Sequence, residues 1–192
     1  GTAHPYRGGL AAMNERLARE LTERGDEVVI YNFTLQYPGF LFPGKSQYTD
    51  ETVPQGLRII RKINSVNPFN WLKVGRELRK ICPDLIIVKY WLPFMGPALG
   101  TIVRLARRNR HTRVICIADN MIPHEKRPGD RLFTKYFTKG VDGYIAMSHE
   151  VYADIEKLVA HPLRRFTPHP IYDHYGEIMP RAEALKLLQL DP

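Results

Sequence analysis

No stretch of about 18 uncharged apolar residues occurs in this 192-residue chain, so it offers no transmembrane helix, and its first residues lack the apolar run of a signal peptide. It is expected to be soluble. Cysteine is scarce: Cys82 and Cys116 both sit beside apolar, strand-like runs (ICPDLIIV, VICIAD) and are read as small buried hydrophobes in a reducing cytoplasm. The seven histidines make no i,i+4 pair on a helix and the two cysteines are far apart, which leaves metal binding without a motif. No G-x-S-x-G nucleophile elbow is present, and neither G-x-G-x-x-G nor G-x-x-x-x-G-K-[ST] appears. Acidic residues are in deficit, 20 against 28 Lys and Arg, for a net charge of +8. Such an excess suits nucleic acid, an anionic membrane surface or a phosphorylated ligand, and by itself does not choose among them. Two stretches concentrate it: Arg104, Arg107, Arg108, Arg110 and Arg113, then Lys126, Arg127, Arg131, Lys135 and Lys139.

What is abundant is alternation. A hydrophobic content of 44% is enough for a proper core. Leu10, Met13, Leu17, Ala18 and Leu21 recur every three or four positions, with Glu15, Arg16, Arg19, Glu20 and Glu23 opposite, which predicts an amphipathic helix. Gly25 caps it, and the continuous run Val28, Val29, Ile30, Tyr31 reads as a strand covered on both faces. After a long connection over 32–56, rich in Gly, Pro and aromatics, comes the strand LRIIRKI. The pattern continues with a helix over 67–81, strand DLIIVKY, a helix over 93–108, strand RVICIAD, helix RLFTKYFTKG, strand GYIAMS and a helix begun by Ser148. Strict alternation predicts an α/β fold, a Rossmann-like doubly wound parallel sheet. RRFTPHPIYDHYGEIMP, with three prolines in seventeen residues, reads as an extended connector before a short helix in PRAEALKLLQL. The expected division is a Rossmann-like domain over 1–165 and, over 166–192, a linker with the start of a further domain.

In doubly wound sheets ligands sit beyond the carboxyl ends of the strands. Four places qualify. In HPYRGG, Arg7, Gly8 and Gly9 precede the first helix, where missing Cβ atoms let backbone N–H groups and the helix dipole approach a phosphate; the competing reading is a plain tight turn. Asp119 and Asn120, with His124 and Glu125, follow RVICIA and suit binding or deprotonating a hydroxyl, against a self-bonded loop. Lys89, Tyr90 and Trp91 stand at the end of the strand DLIIVKY, where the aromatics either stack on a ligand ring or roof the core. Ser148, with His149 and Glu150 after it, is a helix N-cap at the ligand edge. The aromatic segments YPGFLFPG and NPFNWLK either dip into a membrane surface beside the basic stretches or fold back over the sheet.

Taken in order, these features resemble the N-terminal domain of a family-4, GT-B type glycosyltransferase, over nearly the whole chain. The carriers are RGGLAAMNERLARELTERGDEVVIY, PDLIIVKYW and GYIAMSHEVYADI; HPIYDHYG with PRAEALKLLQLDP resembles the passage into that family's second domain. The resemblance implies one half of a GT-B fold, and a retaining transfer of sugar from a nucleotide sugar to a glycan or lipid-linked acceptor. It also implies no cofactor and no metal, since amides, helix ends and basic residues neutralise the leaving diphosphate. By it, Gly8, Gly9 and Arg7 approach the donor, Asp119 and His124 are catalytic, and Asn120, Glu125, Tyr90, Trp91 and Ser148 contact substrate. Many relatives carry a His-Asp pair where this chain reads Ala118-Asp119, so the histidine role falls to His124 or is empty. The strand that should run into GTAHPYRGG is missing, so Gly1 is expected just inside the fold and the sheet is expected to lack a central strand of about five or six residues. A full-length enzyme is expected in the cytoplasm, peripheral at the inner face of a membrane, with this portion alone inactive and nucleic acid not among its partners. The alternatives are a binding domain for phosphorylated ligands or nucleic acid, and a nucleotide-sugar epimerase of GT-B type.

Overall fold

The structure, a computed structural model, describes residues 1–39, 46–50, 52–123, 125, 127–170 and 178–190. Along the chain run α1 (Gly9–Glu23), β1 (Val29–Leu35), β2 (Arg58–Asn64), α2 (Pro68–Ile81), β3 (Leu85–Tyr90), α3 (Gly96–Ala106), β4 (Arg113–Ala118), α4 (Asp130–Thr138), β5 (Gly143–Ala146), α5 (His149–Leu158), β6 (Arg164–Phe166) and α6 (Arg181–Leu188). Every pairing between these strands is parallel, and helices join β2 to β3 and each later strand to the next, as the alternation predicts.

Local chemistry explains the element ends. Gly25, at φ +98°, lets α1 close with the Asp26 amide donating to Leu21 O and the Gly25 amide to Thr22 O. Asn67 caps α2 by accepting from the Asn70 amide at 3.2 Å, with Pro68 in the first turn where its missing N–H costs nothing. Cys82 ends α2 in a left-handed conformation and is exposed, which corrects its reading as a buried thiol. Cys116, in the middle of the sheet, is buried as expected.

The sheet differs from the expected single layer. β1 and β2 form a two-stranded sheet, and β3, β4, β5 and β6 form a four-stranded one, with no strand hydrogen-bonded to both among the described residues. Residues 1–3 run beside β1: the Gly1 amine donates to Tyr31 O at 2.8 Å, and the Ala3 amide donates to the Asn32 side-chain Oδ1 at 3.2 Å. Asn32 therefore takes the place of a ladder partner. It is fully buried, and its Nδ2 donates to Ala3 O and His4 O while its Oδ1 also accepts from the Phe33 amide. β6 was not foreseen. Arg164–Phe166, read from sequence as connector, pairs with β5 at the sheet's edge, where three residues are enough to complete the ladder.

α3 is the central helix, with seven of its eleven residues buried. Its glycines permit close approach: a Cβ on Gly96 would collide with the Phe133 carbonyl of α4, and one on Gly100 would come within 2.9 Å of the Tyr136 ring. The core between α3, α4 and the four-stranded sheet is filled by Met95, Phe137, Tyr90 and Met121, with Tyr90 stacked on Phe137 at 4.3 Å between ring centroids. Burial in β3 and β4 rises toward their carboxyl ends. That end of the sheet bears the site.

Candidate functional site

The carboxyl ends of β3 and β4, the residues that follow β4 and β5, and the start of α1 surround a cleft of about 440 Å³ at the edge of the four-stranded sheet. It is lined by Gly9 and Leu10 of α1, Lys89 of β3, Ala118 and Asp119 of β4, Met147 and Ser148 between β5 and α5, and His169. Parallel strands all end on this side, so side chains far apart in sequence arrive at one place.

The approach to α1 is held from several directions. The His4 amide donates to Glu15 Oε1 at 2.6 Å, and Asn14 Nδ2 donates to Thr2 O at 2.8 Å. The Arg7 amide donates to Gln47 O, and the Thr49 amide to Pro5 O, so the segment pairs with residues 47–49. Gly8 then turns the chain at φ +101°, ψ 175°, a region open essentially to glycine alone. No side chain caps α1. The Ala11 and Ala12 amides bond to Gly8 O, whereas those of Gly9 and Leu10 have no partner among the described residues and lie on the cleft. α5 also begins here, with Ser148 Oγ accepting from the Val151 amide at 3.2 Å. Two helix N-termini, each with the positive end of its dipole, thus meet at one cleft.

Its floor holds an ion pair. Lys89, with a side chain only 3% exposed, places Nζ 3.2 Å from Asp119 Oδ1, and donates on its other side to Met13 Sδ of α1. A lysine so enclosed is stable only with a counter-charge, which Asp119 supplies. Asp119 is in turn mostly enclosed. Burial holds its carboxyl above the ordinary range, and the Lys89 ammonium and His169 pull it part of the way back. Its Oδ2 is buried without a hydrogen-bond partner, an acceptor with spare capacity. The Asp119 and Asn120 amides both point at Tyr90 O, at 2.8 and 3.4 Å, which folds the loop back over the end of β3.

Of the residues expected from sequence, Gly9, Asp119 and Ser148 line the cleft, Gly8 forms the turn into it, and Asn120 adjoins Asp119, half-buried. Arg7 and Glu125 are exposed and lie outside its lining. Tyr90 is corrected: it is wholly buried, with its hydroxyl 3.0 Å from Thr134 Oγ1, so it presents no surface to a ligand and supports the floor from beneath. Trp91 packs edge-on against Phe33 and donates to the Tyr37 hydroxyl, away from the lining. His149 stacks on Phe166 at 4.1 Å, joining α5 to β6. His124 lies outside the described residues, as do most of YPGFLFPG and HPIYDHYG. Among the described residues no three His, Cys, Asp or Glu gather where a metal ion could be held. Lys89 stands with Tyr90 and Trp91 in the sequence reading, but the role there is given to the aromatics and none to the lysine. Its signal was present: it is the single charge in the strand LIIVKY, placed between two positions that are buried.

A parallel α/β domain that brings two helix N-termini and a buried lysine to one cleft belongs to the class of domains suited to anionic, phosphate-bearing ligands. Comparison at the level of protein families narrows the class. The model of Glycosyltransferase Family 4 matches residues 7–168, from the turn before α1 to just past β6, and the chain belongs to that family. Among curated proteins no significant match is found. Membership supports a glycosyltransferase type of function, with a sugar donor and an acceptor as partners in general terms.

Proposed function

We propose that this chain is the acceptor-side half of a retaining GT-B glycosyltransferase, which moves a sugar from a nucleotide sugar to a glycan or lipid-linked acceptor at the inner face of a membrane. Residues 1–165 form that half, and 166–192 lead into a second domain that holds most of the donor. The observation that carries the reading is the cleft itself, where unpaired α1 amides face the Lys89–Asp119 pair across the carboxyl edge.

In this reading the Gly9 and Leu10 amides and the two helix N-termini stabilise the diphosphate as the bond from anomeric carbon to phosphate oxygen breaks. The acceptor oxygen bonds to the anomeric carbon and gives up its proton. Asp119, whose Oδ2 has a free lone pair and whose carboxyl is held above the ordinary range, accepts a hydrogen bond from that hydroxyl and suits the base role. Lys89 keeps Asp119 oriented. His124, five positions after Asp119 in the sequence, is the other candidate for the proton.

The test is titration of the full-length protein with a panel of nucleotide sugars, read by calorimetry and thermal shift. One nucleotide sugar and its nucleoside diphosphate should bind, and Gly9→Val, which adds a branched Cβ at the cleft, should weaken both. Absence of binding across the panel refutes the reading. Turnover of a nucleotide sugar without any acceptor marks an epimerase instead.

A further inference from the structure

The two basic stretches of the sequence meet in space. A groove of about 400 Å³ runs between three helices, lined by Leu72 of α2, Thr101, Arg104 and Leu105 of α3, Arg107 and Arg108 just after it, and Tyr136 and Lys139 at the end of α4. We propose that this outer face docks on an anionic phospholipid bilayer, with headgroup phosphodiesters in the groove and Leu132, Phe133 and Phe69 entering the interface around it. The proposal rests on the preceding reading only for the lipid-side placement of the acceptor; the contact stands on the surface alone.

Charge is the first argument. Among the described residues, Arg104, Arg108, Lys135 and Lys139 are exposed and none is in an ion pair. Arg104 instead lies over the Tyr136 ring, 4.8 Å from its centroid, and the Tyr136 hydroxyl is 2.9 Å from Thr101 Oγ1, which fixes one wall. The neighbouring acids are engaged elsewhere. Asp142 binds Arg107 and accepts from the Val114 amide, Glu77 binds Lys62 and the Tyr31 hydroxyl, and Asp130 accepts from the Arg127 amide. Arg107 is thereby neutralised, and the other cations face outward unopposed.

Apolar exposure is the second. Phe69 is 83% exposed and Leu132 69% exposed, with Phe133 also open to solvent. On α4 the i,i+4 spacing sets Arg131, Lys135 and Lys139 in one row beside Leu132 and Tyr136 in the next, so cations and apolar side chains share the outward surface. On α2, Phe69 lies one turn before Leu72, with the exposed Lys73 and Arg76 beside them. Bulky hydrocarbon among unpaired cations fits a charged interface with an oily layer under it. A nucleic-acid backbone would use the cations and leave Leu132 and Phe69 without a role.

The test is co-sedimentation of the chain with vesicles of pure phosphatidylcholine and of phosphatidylcholine with 30% phosphatidylglycerol. Binding is expected to the anionic vesicles only and to fall steeply with salt. Because each cation near such a surface is worth roughly fivefold in partitioning, Arg108→Glu with Lys135→Glu and Lys139→Glu should lower binding at least a hundredfold. Leu132→Ser should weaken it while leaving its salt dependence intact, and Arg19→Glu on α1 with Arg24→Glu just after it should leave it unchanged. Thermal melts within a few degrees of the parent show that the variants fold. Equal binding to both vesicles, none to either, an unaffected triple variant, or equally tight binding of duplex DNA overturns the proposal. Nucleotide-sugar binding that survives in the triple variant leaves the transferase reading untouched by any of these outcomes.

Discussion

Replacing Lys89 by methionine removes the ammonium facing Asp119 and keeps a side chain of similar length in an almost fully enclosed slot. At 3.2 Å and an effective dielectric of ~20, the lost Coulomb attraction is about 5 kcal/mol. Sparing the burial of a lysine returns part of this, and a net loss of about 3 kcal/mol is expected, in the range seen when one partner of a buried pair is removed. The loss must depend on pH. Asp119 already sits above its ordinary value because it is buried, so between its unfolded and folded values the native state binds more protons and stability falls as pH rises. Without Lys89 the folded value climbs further and that window extends upward. The deficit against the parent should therefore grow as pH rises and be larger at pH 8 than at pH 5. Urea unfolding at the two pH values measures it. Adding Asp119→Asn to Lys89→Met removes the stranded charge and should restore stability at pH 8 to within about 1 kcal/mol of the parent. An equal loss at both pH values with no rescue by Asp119→Asn refutes the reasoning, because the cost then comes from packing around Met13 and not from charge.

Three further outcomes follow from the residues that shape the cleft. Gly8→Ala should cost about 1–3 kcal/mol in a thermal melt through backbone strain alone, since an added Cβ meets nothing within 4 Å while φ +101°, ψ 175° disfavours any side chain. Asn32→Ala should cost at least about 3 kcal/mol in chemical denaturation, because it strands two buried amides and two carbonyls at once; Asn32→Asp, which sets a buried carboxylate against the Ala3 and His4 carbonyls, should cost at least as much at neutral pH. Ser148→Ala should cost about 1 kcal/mol and speed hydrogen exchange at the Val151 amide, which loses its cap.

Much of the fold is legible from residue spacing. The 3.6-residue period of α1, the buried strand runs and the cap residues Gly25, Asn67 and Ser148 all act over a few positions, so their outcome is written locally. That Gly9, Asp119 and Ser148 gather at one edge is legible for a topological reason: parallel strands bring the segments at their carboxyl ends together. What the spacing leaves open or gets wrong shares the opposite property. Tyr90 and Trp91 look alike in sequence, yet one is sealed beneath the sheet by Phe137 and Thr134 and the other is turned toward Phe33 and Tyr37. Arg164–Phe166 has a proline-rich continuation that speaks for a connector, and only the open edge of β5 makes it a strand. Cys82 reads as apolar beside LIIV, but it is the residue at which α2 reverses.

From its residues alone, then, this chain dictates an alternating α/β order, a glycine turn before a long first helix, and a basic surface, because periodicity, capping and net charge are sums of local terms. Which residues share a cleft is another matter. Lys89 becomes a buried partner of Asp119 only because β3 and β4 lie side by side in register while α1 lays Met13 against the lysine's other side. Asn32 becomes a brace only because residues 1–3 run beside β1, and Arg104 and Lys139 line one groove only because Gly96 and Gly100 let α3 and α4 come close. Such contacts join residues tens of positions apart, and the energy that selects them exists only once the layers have packed.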